Sequence, residues 1–155
     1  MANLLKYGNV GTYANAFEAA NLNSLADGSS IISTSTVISN GTGLDILADV
    51  SFILGAISPA APANLALYLL PELDDGSTFA DGESSATAAN QPTDTYLVGV
   101  WRLRLKASSA QNGMIRGIVI PPGDFKFALI NNAGAALASS GNTAKYRTYG
   151  YNLNG

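Results

Sequence analysis

The sequence predicts an all-β protein, an antiparallel β-sandwich, and three observations carry that expectation. From Trp101 to Lys106, apolar and basic residues alternate strictly, which is the period of a strand with one buried and one wet face. Turn sequences punctuate the chain at Asp27-Gly28, Asn40-Gly41, Asn112-Gly113 and Pro121-Pro122-Gly123-Asp124. Glycine there supplies positive φ, and proline presets φ for a turn. Between the turns stand runs rich in β-branched and aromatic residues, and no long segment repeats apolar residues at helical spacing.

In chain order, residues 1–21 read as an irregular N-terminal arm and residues 22–155 as the sandwich domain. Leu4, Leu5, Tyr7, Val10, Tyr13 and Phe17 make the arm too apolar for a free tail, yet they do not alternate as a strand does. Asn15 to Ala20 reads as one helical turn, with Asn15 as cap and Glu18 three residues on. Leu22 to Ala26 reads as a short strand, and the β-branched run from Ile31 to Ile38 as a firmer one. Leu44, Ile46, Ala48, Val50, Phe52 and Leu54 then share one face, with Asp45, Asp49 and Ser51 on the other. Pro59 and Pro62 end this long strand or bent pair, because proline cannot donate to a central ladder. Asn64 to Leu70 is a buried strand, and residues 72–94 form a long acidic loop bearing glycines.

The stretch from Thr95 to Asn131 is expected as an antiparallel meander. One strand runs through Lys106, a turn at Gln111-Asn112-Gly113 leads to a strand from Met114 to Ile120, and Pro121 to Asp124 turn into a third strand from Phe125 to Ile130. Trp101, Leu103, Leu105, Phe125, Phe127 and Leu129 are assigned to the core, and Arg102, Arg104 and Lys106 to the wet face. A softer loop follows, then a last strand from Lys145 to Leu153, rich in tyrosine. Roughly eight strands spaced by turns make a sandwich or barrel, and two Greek keys over eight strands make the jelly roll.

Composition bounds the chemistry. The 155 residues contain no cysteine and no histidine. That removes thiolate chemistry, the commonest general base and the commonest metal ligand. Charged residues make up 12%, against about a quarter in ordinary soluble domains, which suits a β-protein that covers much of its surface with something else. The net charge of −3 is unevenly spread: up to Trp101 one base faces ten acids, a net of −9, and from Arg102 onward seven bases face one acid, a net of +6. Such an asymmetry offers self-complementary patches for packing copies together. No leader with a basic start and a long apolar core is evident, and no apolar run is long enough to span a membrane.

Three groups of residues are candidates for a site. Asp74, Asp75, Asp81 and Glu83 supply hard oxygen ligands in a glycine-bearing loop, but their spacing departs from the helix-loop-helix calcium pattern, and a solvated acidic loop is the preferred reading. The basic row Arg102, Arg104 and Lys106, joined by Arg116 from the neighbouring strand, suits an anionic or protein surface. It lacks the interleaved aromatics of a single-stranded nucleic-acid platform. Tyr149 and Tyr151, opposite Tyr146, suit either sugar stacking or a protein interface.

The run Val119-Ile120-Pro121-Pro122-Gly123-Asp124-Phe125-Lys126-Phe127-Ala128-Leu129-Ile130-Asn131-Asn132, a small-residue loop, and Lys145-Tyr146-Arg147-Thr148-Tyr149-Gly150-Tyr151-Asn152 resemble small virion proteins of tailed bacteriophages. Among these are jelly-roll decoration, or cement, proteins. The resemblance covers roughly residues 30–155 in general pattern and rests on turn and strand motifs. It implies a structural virion protein on the capsid surface that binds the major capsid protein or another virion protein as a homo-oligomer, a dimer or trimer. Nucleic acid, membrane, cofactor, metal and catalysis are not expected. The expected interface residues are Leu4, Leu5, Tyr7, Tyr13, Phe17, Arg102, Arg104, Lys106, Tyr149 and Tyr151. A carbohydrate-binding module for host attachment, or a tail or baseplate component, are the alternatives. Deleting residues 1–20 is expected to leave the sandwich folded.

Overall fold

The computed structural model describes residues 4–32, 37–74, 78–82 and 92–154. The chain is an all-β sandwich of two four-stranded antiparallel sheets. Its strands are β1 (Leu4–Tyr7), β2 (Ala14–Phe17), β3 (Ser30–Ile32), β4 (Leu47–Ile57), β5 (Asn64–Pro71), β6 (Leu97–Arg102), β7 (Ser109–Val119), β8 (Phe125–Asn132), β9 (Thr143–Tyr149) and β10 (Tyr151–Asn154). One sheet has the order β2-β9-β4-β7 and the other β3-β8-β5-β6, while β1 and β10 form a separate two-stranded ribbon. Five of the pairings nest: β1 with β10, β2 with β9, β3 with β8, β4 with β7, and β5 with β6. The chain is one long two-stranded ribbon folded over on itself, and the β4–β9 and β5–β8 pairings close each sheet.

The core lies between the sheets and is built by alternation. Ala48, Val50, Phe52 and Leu54 of β4 meet Leu65 and Leu67 of β5 and Phe125, Phe127 and Leu129 of β8. Each fully buried phenylalanine or leucine contributes about 1.5–3 kcal/mol. A second apolar layer lies outside the β3-β8-β5-β6 sheet, where Phe79, Ala80 and Tyr96 cover Ile32, Ala66, Tyr68, Leu70, Ala128 and Ile130. That cover explains why β5 reads as a continuous apolar run from Leu65 to Leu70 and why β8 is apolar on both faces from Phe127 to Ile130: both faces of these strands are buried.

The structure corrects several expectations. The stretch expected as an irregular arm carries β1 and β2, and β2 is an edge strand of the first sheet. Its alternation is hidden because it has four residues and a bulge between Asn15 and Phe17, which buries Ala16 and Phe17 in succession. Deleting residues 1–20 would therefore remove part of the core. The helical turn lies at α1 (Ala19–Leu22), later than expected, because Asn15 pairs with Lys145 in β2–β9. Leu22 to Ala26 is not a strand: Ser24 adopts φ 59 and its N–H donates to Ala138. Ile31 and Ile32 lie in β3, Ile38 forms an isolated bridge to Phe125, and the part of that expected strand at 33–36 lies outside the described residues.

The expected meander is absent. Strands β6, β7 and β8 alternate between the two sheets, and none pairs with its successor. Strand β6 stops at Arg102, because the buried Gln111 side chain takes over the role of a ladder partner. Its Oε1 accepts from the Arg104 N–H at 3.2 Å and its Nε2 donates to the Arg104 carbonyl at 3.2 Å. Beyond that point Leu103 is buried but Leu105 is 63% exposed. The Asn112-Gly113 pair lies within β7, not at a turn. Gly113 is there because the Trp101 indole lies against it, where any Cβ would overlap the ring. Trp101 also stacks on Phe52, with centroids 5.5 Å apart, and so closes the gap between the edge strands β6 and β7.

Candidate functional site

Strands β4, β9 and β7 build a cleft on the outer face of their sheet. On β4, alternate residues point inward, so Asp49 points out between Ala48 and Val50. Directly across the ladder from Asp49 is Arg147 of β9. On the other side, the register shifts between Ala48 and Val50, so that Arg116 and Gly117 of β7 together oppose Asp49. This is a bulge, and Gly117 takes the left-handed conformation that such a bulge needs, with φ +67. The bulge turns the Gly117 N–H toward the carboxylate, where it donates to Asp49 Oδ1 at 3.1 Å.

Four donors converge on Asp49. Arg147 Nε and Nη2 donate to Oδ2 at 3.2 and 2.9 Å, and Tyr149 Oη donates to Oδ1 at 3.1 Å beside the Gly117 N–H. A carboxylate offers about four acceptor positions, so this one is filled by its own fold. The ion pair is unequally buried, with the Asp49 side chain 6% and the Arg147 side chain 30% exposed. Burial pushes the Tyr149 phenol above its ordinary value, and the hydrogen bond to Asp49 adds to the rise. The Asp49 hydrogen bond likewise raises Arg147, which stays cationic. Asp49 therefore acts as an anchor for β4, β7 and β9 and leaves no acceptor position for a ligand.

The cleft above this anchor has a volume of about 460 Å³ and is lined by Tyr7, Val10, Arg116 and Gly117 together with Asp49, Arg147 and Tyr149. Tyr7 packs edge-on to Tyr149 at 5.8 Å and tilts over Tyr151 at 5.3 Å. The guanidinium of Arg147 lies 5.0 Å from the Tyr13 ring centroid. Such an arrangement offers rings and guanidinium groups for surface recognition, with Tyr7, Tyr13 and Tyr151 all exposed.

Of the expected interface residues, the structure thus brings together Tyr7, Tyr13, Tyr149 and Tyr151, although Tyr149 is buried beneath its neighbours. Leu4 and Leu5 belong to β1, where they pair with Asn154 and Leu153. Phe17 is a core residue, because the β2 bulge directs it inward, and it presents no interface. The basic row is not a row. Arg102 ends β6, Arg104 folds back so that its Nη2 donates to the Ala110 carbonyl at 2.9 Å, Lys106 lies past the end of the strand, and Arg116 lies on the other sheet. Tyr146 faces the core against Phe127. In the acidic loop, Asp74 accepts from the Thr78 N–H at 3.2 Å and Asp81 from the Thr93 N–H at 2.9 Å, while Asp75 and Glu83 lie outside the described residues. Among the described residues no group of three or more carboxylates is placed to hold a metal ion, and no helix is long and apolar enough to cross a membrane.

The reading of the sequence missed the Asp49 anchor. Its signals were an aspartate in the middle of an apolar strand and a glycine interrupting the β7 alternation after Arg116. Compared with known proteins, the chain matches no protein-family model and no curated sequence.

Proposed function

We propose that this chain is a structural virion protein of jelly-roll type, a decoration protein that binds the outer surface of a phage head through the β1/β10 ribbon and the tyrosines beside it. The nested strand pairing supports the jelly-roll reading, since a folded-over ribbon of eight strands in two sheets is how that fold arises. One observation carries the docking element. Strands β1 and β10 are four residues each and pair with each other outside both sheets. An isolated two-stranded ribbon is marginal in water, so a partner surface is its natural support. By register, Leu4, Leu5, Lys6 and Tyr7 pair with Asn154, Leu153, Asn152 and Tyr151. Tyr7, Val10, Tyr13 and Tyr151 are exposed apolar side chains on and beside this ribbon.

The test is co-sedimentation with phage heads that lack the protein. Tyr7→Ala/Tyr151→Ala should leave the fold intact and weaken binding about tenfold or more, the usual loss when aromatic anchors are truncated. Binding of the double variant at the wild-type affinity would remove the ribbon from the interface. A glycan array run beside it tests the sugar-binding alternative, and micromolar glycan binding abolished by Tyr151→Ala would replace the virion reading.

A further inference from the structure

We infer that copies of this chain pack against one another face to back, the outer face of the β2-β9-β4-β7 sheet of one copy docking on the acidic side of the next. This rests on the reading of the chain as an assembling protein and names the contact between copies, on a face whose Arg116 and Arg147 also line the cleft beside Tyr7.

The two sides of the sandwich carry opposite charge. On the outer face of β2-β9-β4-β7 stand Lys145 and Arg147 of β9 and Arg116 of β7. The acid among them on this face, Asp49, is buried and already paired with Arg147. Between these cations the face leaves apolar side chains open: Ile53 of β4 is 55% exposed, Met114 of β7 38%, and Val119 of β7 75%. On the opposite side of the molecule, Phe79, Ala80 and Tyr96 cover the outer face of β3-β8-β5-β6. That cover bears Asp74, Asp81 and Asp94, all exposed. Two cations lie on this side: Lys126, buried with its Nζ 4.2 Å from the Phe79 ring centroid, and Arg102, exposed at the end of β6 and outnumbered by the three carboxylates.

The charge asymmetry along the sequence therefore survives folding, although strands from both halves of the chain interleave. Two sheets stacked about 10 Å apart, with a further layer on one of them, separate the faces by more than the Debye length of about 8 Å at physiological salt. One copy cannot neutralise its own basic face with its own carboxylates. A second copy can, if its acidic side lies on the basic face of the first. Because the two patches differ, the contact is heterologous, and an open assembly retains one free patch of each kind, at its two ends, until a ring closes. The exposed Ile53, Met114 and Val119 supply the apolar centre that such a contact needs, with the charges around it fixing orientation.

The experiment measures association of the full chain by sedimentation velocity across ionic strength. The wild-type protein should associate at low salt and dissociate as salt rises. Two reversed variants test the contact: Arg116→Glu/Lys145→Glu on the basic face, and Asp74→Lys/Thr93→Lys/Asp94→Lys on the acidic side, which leaves Asp81 against three lysines and uses a Thr93 side chain that makes no capping bond. Each alone should weaken association more than about tenfold through like-charge repulsion. Mixed in equal amounts they should associate again, because every face then meets a back of opposite sign. Lys145→Glu alone, which leaves the surroundings of Asp49 untouched, should give a smaller loss of the same sign and covers the case in which the double variant folds poorly. A wild-type protein that stays monomeric at every salt concentration, reversed variants that associate as the wild type does, or a mixture that fails to recover would each overturn the inference. All these variants keep β1 and β10, and Lys145→Glu changes no residue that lines the cleft beside Tyr7, so binding of that variant to phage heads reads out the ribbon separately.

Discussion

Asp49 gathers donors from two neighbouring strands, and its removal tests how much the outer face depends on it. Asp49→Ala strands the Gly117 N–H, the Tyr149 hydroxyl and the Arg147 guanidinium. Since Arg147 keeps partial access to water, the loss in urea unfolding should be about 2–3 kcal/mol, below the full cost of breaking a buried pair. Tyr149 gives a pH signature. Its pKa is raised in the fold, chiefly by burial and then by Asp49, so the folded state holds the phenolic proton more tightly than the unfolded chain does. That contribution is fully present below the unfolded tyrosine value of about 10 and is lost as pH rises through the folded value. Tyr68 and Tyr146 are also raised, both chiefly by burial, and act in the same direction. Thermal melts should show stability falling above about pH 10, less steeply in Tyr149→Phe than in the wild type. Identical alkaline slopes would mean that Tyr149 does not hold its proton against Asp49.

Strand β7 shows why parts of the fold were legible in the sequence and parts were not. The apolar run of β5 was readable, because burial on both faces leaves an uninterrupted pattern, and β8 was readable from the alternation of Phe125, Phe127 and Leu129. The alternation of β4 was readable from Ala48 to Leu54, though Leu44 and Ile46 lie before the strand and are exposed. Asn112-Gly113 misled, because the same dipeptide serves a turn and a close approach. Here Gly113 admits the Trp101 indole. Gly113→Ala should therefore overpack the site and cost about 1–3 kcal/mol. Trp101→Ala removes a partly buried ring stacked on Phe52 and should cost about 3 kcal/mol, the low end for a large aromatic. Gly117→Ala should cost about 1–2 kcal/mol from the left-handed φ alone. If Gly117→Ala is neutral in chemical denaturation, the bulge is not what positions the N–H on Asp49. The site itself was half legible: the tyrosines stood out by type, whereas the partners of Asp49 come from strands distant in sequence, a separation that local pattern does not encode.

At the scale of the whole molecule, nested pairing defeats the assumption that successive strands are neighbours, which is why a meander was expected where strands alternate between sheets. Nesting also sends the first and last strands out together as the β1/β10 ribbon, the attachment element proposed above. Because Ala16 and Phe17 belong to the core, the informative truncation stops short of β2. Deletion of residues 1–9 removes β1 and leaves both sheets whole. Co-sedimentation of this truncated chain with phage heads that lack the protein, with circular dichroism as the control for folding, is the most direct measurement. Attachment through the ribbon predicts a spectrum that stays that of a folded β-protein and occupancy reduced to a small fraction of that of the full chain. A folded truncated chain that binds at full occupancy and unchanged affinity would contradict it.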